Sequence, residues 1–85
     1  MMAMREKRSH FGSVLACFRE ERGLTQLELA TRMQRDQRTV SSMEKGMREP
    51  LLSSVVLFAR GLGVRAAELV ERYEQELERI EKEKE

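Results

Sequence analysis

The chain has 85 residues, of which 40% are hydrophobic and 36% are charged. This length corresponds to one small domain, leaves no room for a second catalytic domain and makes self-association a useful source of stability. Regularly spaced Leu, Val, Met and Phe residues favour a helix-rich globule over a disordered chain. The single cysteine, Cys17, cannot form an internal disulfide, and no apolar run is long enough to cross a bilayer, so we expect a cytoplasmic protein.

The net charge of +1 is unevenly distributed along the chain. Residues 1–65 contain 12 basic and 7 acidic side chains, a net charge of +5, whereas residues 66–85 contain 4 and 8, a net charge of −4. A basic segment suits contact with phosphates, and an acidic tail would point away from them. Solvated helix faces produce the same asymmetry, so the charge pattern supports a nucleic-acid partner without establishing one.

The first predicted helix runs from about Ser9 to Arg22. Gly23 is expected to end it in a left-handed conformation. The apolar residues of this segment recur at the i, i+3, i+4, i+7 spacing of one buried stripe, namely Phe11, Val14, Leu15 and Phe18.

The second predicted helix begins with a capping box. The hydroxyl of Thr25 and the carboxylate of Glu28 have the spacing at which each satisfies a backbone N–H group of the other residue. The helix should extend to about Met33. Its inward residues are expected to be Leu29, Ala30 and Met33, and the small Ala30 would allow the next helix to cross closely.

The third predicted helix follows after a tight corner at Gln34–Arg35. Asp36 is a suitable N-cap, and the helix should reach about Lys45 with Val40 and Met43 facing inward. Two short helices joined by so brief a turn must cross steeply.

A fourth and a fifth helix complete an all-α domain. Gly46 ends the third helix and Pro50 breaks the next segment, after which an apolar stripe predicts the fourth helix at Leu52, Val55, Phe58, Ala59 and Leu62. Gly63 stops that helix. The fifth helix begins around Arg65 or Ala66 and is rich in Glu, Arg and Lys to the end, and no strand-like alternation appears.

Three groups of residues at fixed spacing resemble the Xre/Cro-type helix-turn-helix family. They are Leu24-Thr25-Gln26-x-Glu28-Leu29-Ala30, then Thr39-Val40-Ser41-x-x-Glu44-x-Gly46-x-Arg48-x-Pro50, then Leu62-Gly63-Val64. The resemblance covers roughly residues 11 to 70. It implies a five-helix, lambda-repressor-like domain that binds operator DNA, usually as a dimer. We therefore expect a DNA-binding domain over residues 9–70 and a charged helical extension over residues 71–85.

The resemblance assigns the segment Asp36–Lys45 as the recognition helix. With Val40 and Met43 buried, the side chains that project outward are Gln37, Arg38, Ser41 and Ser42. Arginine can pair with two atoms of guanine and glutamine with two atoms of adenine, so Gln37 and Arg38 suit contact with base edges. An ordinary polar helix face is the alternative, and it applies more to the two serines.

Other side chains are placed to contact the phosphate backbone. Gln26 opens the second helix, where backbone N–H groups and the positive end of the helix dipole favour a phosphate, and the family uses this position in that way. Lys45 and Arg48 flank Gly46 and would reach phosphates on the other side; a solvated loop charge is the alternative, and it applies more to Lys45 than to Arg48. The full candidate set for DNA contact is Thr25, Gln26, Arg35, Gln37, Arg38, Thr39, Ser41, Ser42, Lys45 and Arg48.

The resemblance also implies an ion pair with a structural role. It places Arg19 and Glu44 as a partly buried pair that ties the first helix to the end of the recognition helix. Removing one partner would leave the other charge buried without compensation.

Three positions depart from the family pattern. Gln34 replaces the usual glycine of the turn, so either it adopts a left-handed conformation under strain or the turn differs locally. Arg35 replaces an apolar residue, and its aliphatic stem could still cover apolar surface while the guanidinium reaches solvent or a phosphate. Leu51 replaces a polar cap before the fourth helix.

Exposed apolar residues indicate a dimer interface. Leu57 and Val56 should lie on the solvent face of the fourth helix. In the fifth helix, apolar residues at intervals of three and four form the seam of about two heptads. The alternative is that Leu69, Val70 and Tyr73 pack on their own domain while the rest of the helix frays. The candidate interface residues are Leu51, Val56, Leu57, Val70, Tyr73, Leu77 and Ile80.

We expect a sequence-specific transcriptional regulator, a homodimeric repressor, and not an enzyme. His10 lacks the neighbouring ligands of a metal site, Cys17 lacks the pattern of a nucleophile, and no glycine loop suits a cofactor phosphate. No metal or cofactor is therefore expected, and double-stranded DNA is the predicted partner. The alternative is a protein-interaction module or antitoxin-type partner that binds another protein through the fourth and fifth helices.

Overall fold

The computed structural model describes residues 9–84 and contains five helices over that range. They are α1 (Phe11–Glu21), α2 (Gln26–Met33), α3 (Gln37–Glu44), α4 (Leu52–Leu62) and α5 (Ala66–Glu83). No strand occurs between residues 9 and 84. None of these helices combines the length and the apolar character that a bilayer crossing requires. The predicted all-α, five-helix architecture is confirmed.

Helix α1 begins two residues later than predicted, because Ser9 has another role. The Ser9 hydroxyl accepts a hydrogen bond from the N–H of Phe11 at 3.1 Å. Ser9 therefore lies just outside the helix and bonds to its first residue. Gly23 ends the helix with a φ of 68°, as predicted. The predicted stripe is buried in full: Phe11, Val14, Leu15 and Phe18.

Helices α2 and α3 both begin with the predicted caps. The Thr25 hydroxyl accepts from the N–H of Glu28 at 3.0 Å, and the Glu28 carboxylate accepts from the N–H of Thr25 at 2.8 Å. Gln34 ends α2 in the left-handed conformation, with a φ of 58°. The Asp36 carboxylate then caps α3 by accepting from the N–H of Arg38 at 2.9 Å. Of the two outcomes considered for Gln34, the strained conformation is the one observed.

One hydrophobic core joins all five helices. In helix α5 only Leu69 is buried, while Ala66 and Tyr73 are partly buried and pack against the core from its edge. The helix continues without a break past residue 71, where the charged extension was predicted to begin. The buried apolar residues are Phe11, Val14, Leu15, Phe18, Leu29, Ala30, Met33, Val40, Met43, Val55, Phe58, Ala59, Leu62 and Leu69.

Two glycines allow helices to approach closely. A Cβ atom on Gly61 of α4 would lie 2.7 Å from Cγ of Met33 in α2. A Cβ atom on Gly12 of α1 would collide with the backbone carbonyls of Met43 and Glu44 at the end of α3. The first contact fixes α4 against the helix-turn-helix, and the second fixes the recognition helix against α1.

The apolar surface of α4 differs from the prediction. Leu57 is half-buried and packs against the core, and Val56 is also half-buried. Leu57 shares a helix face with Gly61, four residues later, and that face lies against α2. The prediction that Leu57 is solvent-exposed was therefore wrong.

The exposed leucines lie at the start of α4 instead. Leu51 is 72% exposed and gives α4 no side-chain cap, as predicted. Leu52 was assigned to the buried stripe but is 77% exposed. The first turn of the helix extends beyond the elements that cover Val55, so periodicity alone overestimates how far the buried stripe reaches.

Candidate DNA-binding surface

The outer face of α3 presents polar side chains to solvent. Gln37, Arg38 and Thr39 are exposed, whereas Ser41 and Ser42 are half-buried. The opposite face is buried through Val40 and Met43, as predicted. The exposed, polar N-terminal half of α3 is therefore held in place by its own apolar side.

Arg38 lies beside the carboxylate that caps its helix. An Nη atom of Arg38 is 3.4 Å from Asp36 Oδ2, and the Arg38 side chain is 92% exposed. The hydrogen bond from the Arg38 N–H is the main reason why the pKa of Asp36 is below its ordinary value, and the nearby guanidinium adds to this effect. The carboxylate thus stays ionised at neutral pH and restrains a guanidinium that solvent, or a ligand, can still reach.

Arg19 and Glu44 form the ion pair that the resemblance implies. Arg19 Nε lies 2.6 Å from Glu44 Oε2, and the two side chains are only 12% and 7% exposed. A second bond joins Arg19 to Glu44 Oε1 at 3.2 Å, and Arg19 also donates to the carbonyl of Leu24 at 2.6 Å. The hydrogen bonds to Glu44 raise the pKa of Arg19 above its usual value. Three segments are thereby fixed relative to one another: α1, the loop before α2, and the end of α3.

Gln26 belongs to this same network, a contact that sequence spacing does not predict. Its Nε2 donates to Glu44 Oε1 at 2.8 Å, and the residue is half-buried. This bond sets the orientation of the amide, since only its nitrogen can donate to a carboxylate. One Nε2 hydrogen is used by Glu44, and the second is the donor that a phosphate would require.

The remaining predicted phosphate contacts lie at the surface. Thr25 is exposed, and its hydroxyl takes part in the capping box. Arg35 is exposed and donates to the carbonyl of Gln34 at 3.2 Å. Lys45 and Arg48 are exposed as well. The guanidinium of Arg48 makes no hydrogen bond or ion pair with any residue from 9 to 84.

Three of these candidates share one open groove beside α4. Arg35, Thr39 and Arg48 line a depression of about 770 Å³ whose apolar wall includes Leu51 and Leu57. Residues predicted for DNA contact and residues predicted for dimerisation therefore adjoin each other. Sequence spacing gives no signal of this adjacency, because it depends on how α4 packs against α2.

The residues of the predicted seam of α5 lie in different environments. The ring of Tyr73 contacts Phe11 edge-on with centroids 5.8 Å apart, so this residue packs on its own domain, as the alternative interpretation proposed. Val70 is 44% exposed, and Leu77 and Ile80 are half-buried. The outward side of α5 carries charged groups such as Arg79, which pairs with Glu76 and Glu83.

Comparison with known proteins agrees with this architecture. The helix-turn-helix family model matches residues 18–69, more than half of the chain. The uncharacterized HTH-type transcriptional regulator y4dJ of Sinorhizobium fredii is 40% identical over 65 residues, which are 76% of this chain and 84% of the relative.

Solved structures of restriction-modification controller proteins have the same fold. Wild-type C.Esp1396I superposes with a TM-score of 0.76 at 28% identity, over 84% of this chain and 92% of that chain. C.Esp1396I bound as a tetramer to its natural 35-base-pair operator has a TM-score of 0.74 at 29% identity, over 80% and 90% of the two chains. C.AhdI from Aeromonas hydrophila has a TM-score of 0.67 at 31% identity, over 72% and 92%. From the matched family model, the relative and the fold, the chain belongs to the Xre/Cro-type helix-turn-helix family of transcriptional regulators.

Proposed function

We propose that this regulator is a homodimeric repressor that places α3 of each subunit in the major groove of a two-fold operator. One observation carries the proposal: the N-terminal half of α3 is exposed and polar, while buried contacts hold the rest of the helix rigidly. A recognition helix that is fixed before binding loses little conformational freedom when it enters the groove. The compartment in which such a protein acts is the one that contains the DNA, the cytoplasm in bacteria.

Base contact is assigned to Gln37 and Arg38. Each is exposed near the start of α3, and their side chains suit adenine and guanine respectively. The carboxylate of Asp36 keeps the Arg38 guanidinium close to the helix start, so that its direction is restricted before DNA arrives. We assign Thr39, Ser41 and Ser42 to secondary contacts on the same face.

Phosphate contact is assigned to the residues that surround α3. Gln26 would donate its second Nε2 hydrogen, and Thr25 lies next to it at the start of α2. Arg35, Lys45 and Arg48 would supply positive charge. Such contacts fix the register of the protein on the duplex and carry no sequence information themselves.

Self-association is assigned to the apolar start of α4 and to the exposed part of α5. Leu51, Leu52 and Val70 are all more than 40% exposed. The exposure of these apolar side chains to water is unfavourable, and burial against a partner surface would remove it. The adjoining interface candidates are half-buried: Val56, Leu57, Leu77 and Ile80. Tyr73 contributes indirectly, because its ring packs on Phe11 and holds α5 against the domain. The operator-bound tetramer of C.Esp1396I supports this assignment as a precedent.

The assignment of α3 is tested by binding to DNA selected in vitro from a random pool. Arg38→Ala should weaken binding to the selected site by about 5- to 150-fold, the equivalent of about 1 to 3 kcal/mol, and should relax the preference at one base pair. Arg79→Ala is the matched control, because it removes the same charge from the acidic helix. If Arg38→Ala binds as tightly and as selectively as the parent, the assignment of α3 is wrong.

The oligomeric state has its own test. The selected site should be a palindrome whose half-sites lie about one helical turn apart, and sedimentation should give a dimer that Leu51→Asp or Val70→Glu dissociates. A monomer that selects a site without symmetry would contradict the homodimer. A protein that binds no DNA at low salt but captures one protein through the Leu51 and Leu52 surface would favour the interaction module.

Repression is tested by placing the selected site over a promoter. A dimer that covers two successive major grooves should block access of the polymerase, so expression from that promoter should fall when the regulator is supplied. Increased expression would show an activator instead.

A further inference from the structure

Residues 46–49, which follow the recognition helix, are hydrogen-bonded to Ser9, which lies just before α1. The N–H of Ser9 donates to the carbonyl of Gly46 at 2.9 Å. The hydroxyl of Ser9 donates to Glu49 Oε1 at 2.8 Å. Ser9 is itself buried, so both ends of residues 46–49 are held by one residue with little freedom to move.

Helix α5 holds the same carboxylate from the other side. The hydroxyl of Tyr73 donates to Glu49 Oε1 at 3.4 Å, and the ring of Tyr73 is held edge-on against Phe11. Burial, and to a lesser degree the charge of Glu49, raises the pKa of Tyr73, so its hydroxyl keeps the proton that it donates. One carboxylate oxygen thus accepts from two hydroxyls that belong to different parts of the chain.

Arg48 lies between these anchors and is available to a ligand. It neighbours Glu49 in the chain, yet the two side chains form no ion pair, and the guanidinium has no partner among residues 9–84. An acidic neighbour within reach of a phosphate-binding arginine would compete with the phosphate for that arginine. The two hydroxyls hold one oxygen of this competing carboxylate.

We propose that Ser9 and Tyr73 are positioning residues for DNA binding: by holding the Glu49 carboxylate, they keep it from pairing with Arg48 and leave that guanidinium free to contact a phosphate. This inference rests on the proposed function and adds a role for α5, which otherwise does not contribute to the DNA-binding surface. It also links a helix assigned to self-association to a phosphate contact, through the single residue Tyr73.

The direct test is Tyr73→Phe, which keeps the aromatic packing on Phe11 and removes only the hydroxyl. We expect binding to the selected site to weaken about three- to tenfold, and the dependence of the binding constant on salt to become shallower by about one phosphate contact. The unfolding midpoint should fall by no more than a few degrees, because one hydrogen bond is lost while the ring packing on Phe11 is kept. Ser13→Ala is the matched control, since its exposed hydroxyl bonds only to the carbonyl of His10.

Two further variants show whether the effect passes through Arg48. In an Arg48→Ala background, Tyr73→Phe should cause no further loss of binding. In a Tyr73→Phe background, Glu49→Gln should restore binding, since the neutral amide cannot form an ion pair with Arg48. If Tyr73 had only a structural role, Tyr73→Phe would weaken binding further in the Arg48→Ala background, and Glu49→Gln would not restore binding. The salt dependence would also remain unchanged.

The outcomes separate this inference from the proposed function. If Arg48→Ala weakens binding but Tyr73→Phe does not, the inference is overturned and the proposed function stands. If Arg48→Ala has no effect, or if Glu49→Gln fails to rescue, the inference is also overturned. If Tyr73→Phe does not fold, Glu49→Gln in the parent replaces it: binding at the parent level or above supports the inference, and weaker binding overturns it. If the parent selects no DNA, both fail.

Discussion

Glu44, in the last turn of the recognition helix, accepts hydrogen bonds from Arg19 at 2.6 and 3.2 Å and from Gln26 at 2.8 Å. The ion pair therefore does more than fasten α3 to α1. Through the same carboxylate, it also sets the direction of the amide that begins α2. The helix expected to contact bases and the residue expected to contact phosphate share one buried anchor, which fixes the distance between these two kinds of contact.

Removing one partner of this anchor should be strongly destabilising. Arg19→Met leaves the Glu44 carboxylate, which is 7% exposed, without its counter-charge, and we expect a loss of about 3 to 5 kcal/mol in the free energy of unfolding, measured by urea titration. Arg79→Ala removes an arginine from an exposed ion-pair network on α5 and should cost far less, because water screens exposed pairs. Equal effects of the two substitutions would contradict the importance of burial at Glu44.

The two close helix contacts should respond differently to an added methyl group. Gly12→Ala forces a Cβ atom against the backbone carbonyls of Met43 and Glu44, which cannot rotate away, so we expect a loss of about 1 to 3 kcal/mol in the free energy of unfolding. Gly61→Ala meets side-chain atoms of Met33 and Leu29 instead, and these can adjust, so its loss should be smaller. A larger loss at Gly61 in thermal unfolding would show that α2 and α4 are packed more rigidly than α1 and α3.

Replacing Gln34 should reveal the strain in the turn. The residue has a φ of 58°, at which a side chain costs about 1 to 2 kcal/mol. Gln34→Gly removes this cost but raises the conformational entropy of the unfolded chain, which lowers the stability by about 0.4 to 1 kcal/mol. The net gain in the free energy of unfolding should therefore be about 0.5 kcal/mol. We expect a rise of about 2 to 4 °C in the unfolding midpoint. Gln34→Ala retains the strain, so it serves as the control and should show no rise.

The cap of the recognition helix should make stability depend on pH. Folding lowers the pKa of Asp36 below its ordinary value of 3.8, mainly through the hydrogen bond from the N–H of Arg38. Its stabilising contribution is therefore fully present above the unfolded pKa and is lost as the pH falls through the lower folded pKa. Asp36→Asn keeps an N-cap of similar quality without the charge. The parent should unfold at a higher temperature than this variant near neutral pH, and the difference should vanish in acid below the folded pKa. A difference that does not change with pH would show that the charge of Asp36 contributes nothing.

Local chemistry allowed much of this architecture to be predicted from the sequence. The capping box of Thr25 and Glu28, the Asp36 cap and the φ of Gly23 are all as predicted, because each depends on residues within three or four positions of one another. The buried stripe of α1 follows from helical periodicity in the same way. The distant partners Arg19 and Glu44 were obtained only from the resemblance to a family, since no short-range rule pairs residues 25 positions apart.

The use made of each helix surface depends on the packing of the helices. Leu57 is half-buried because α2 covers one side of α4, whereas no element within residues 9–84 covers Leu52, and periodicity carries no information about a neighbouring helix. The bonds from Gln26 to Glu44 and from Ser9 and Tyr73 to Glu49 likewise join residues far apart in sequence, and they form only once the helices have packed. Local sequence is sufficient for the helices and their caps, because those depend on local hydrogen bonds. Long-range packing selects which polar groups are restrained and which remain available to DNA.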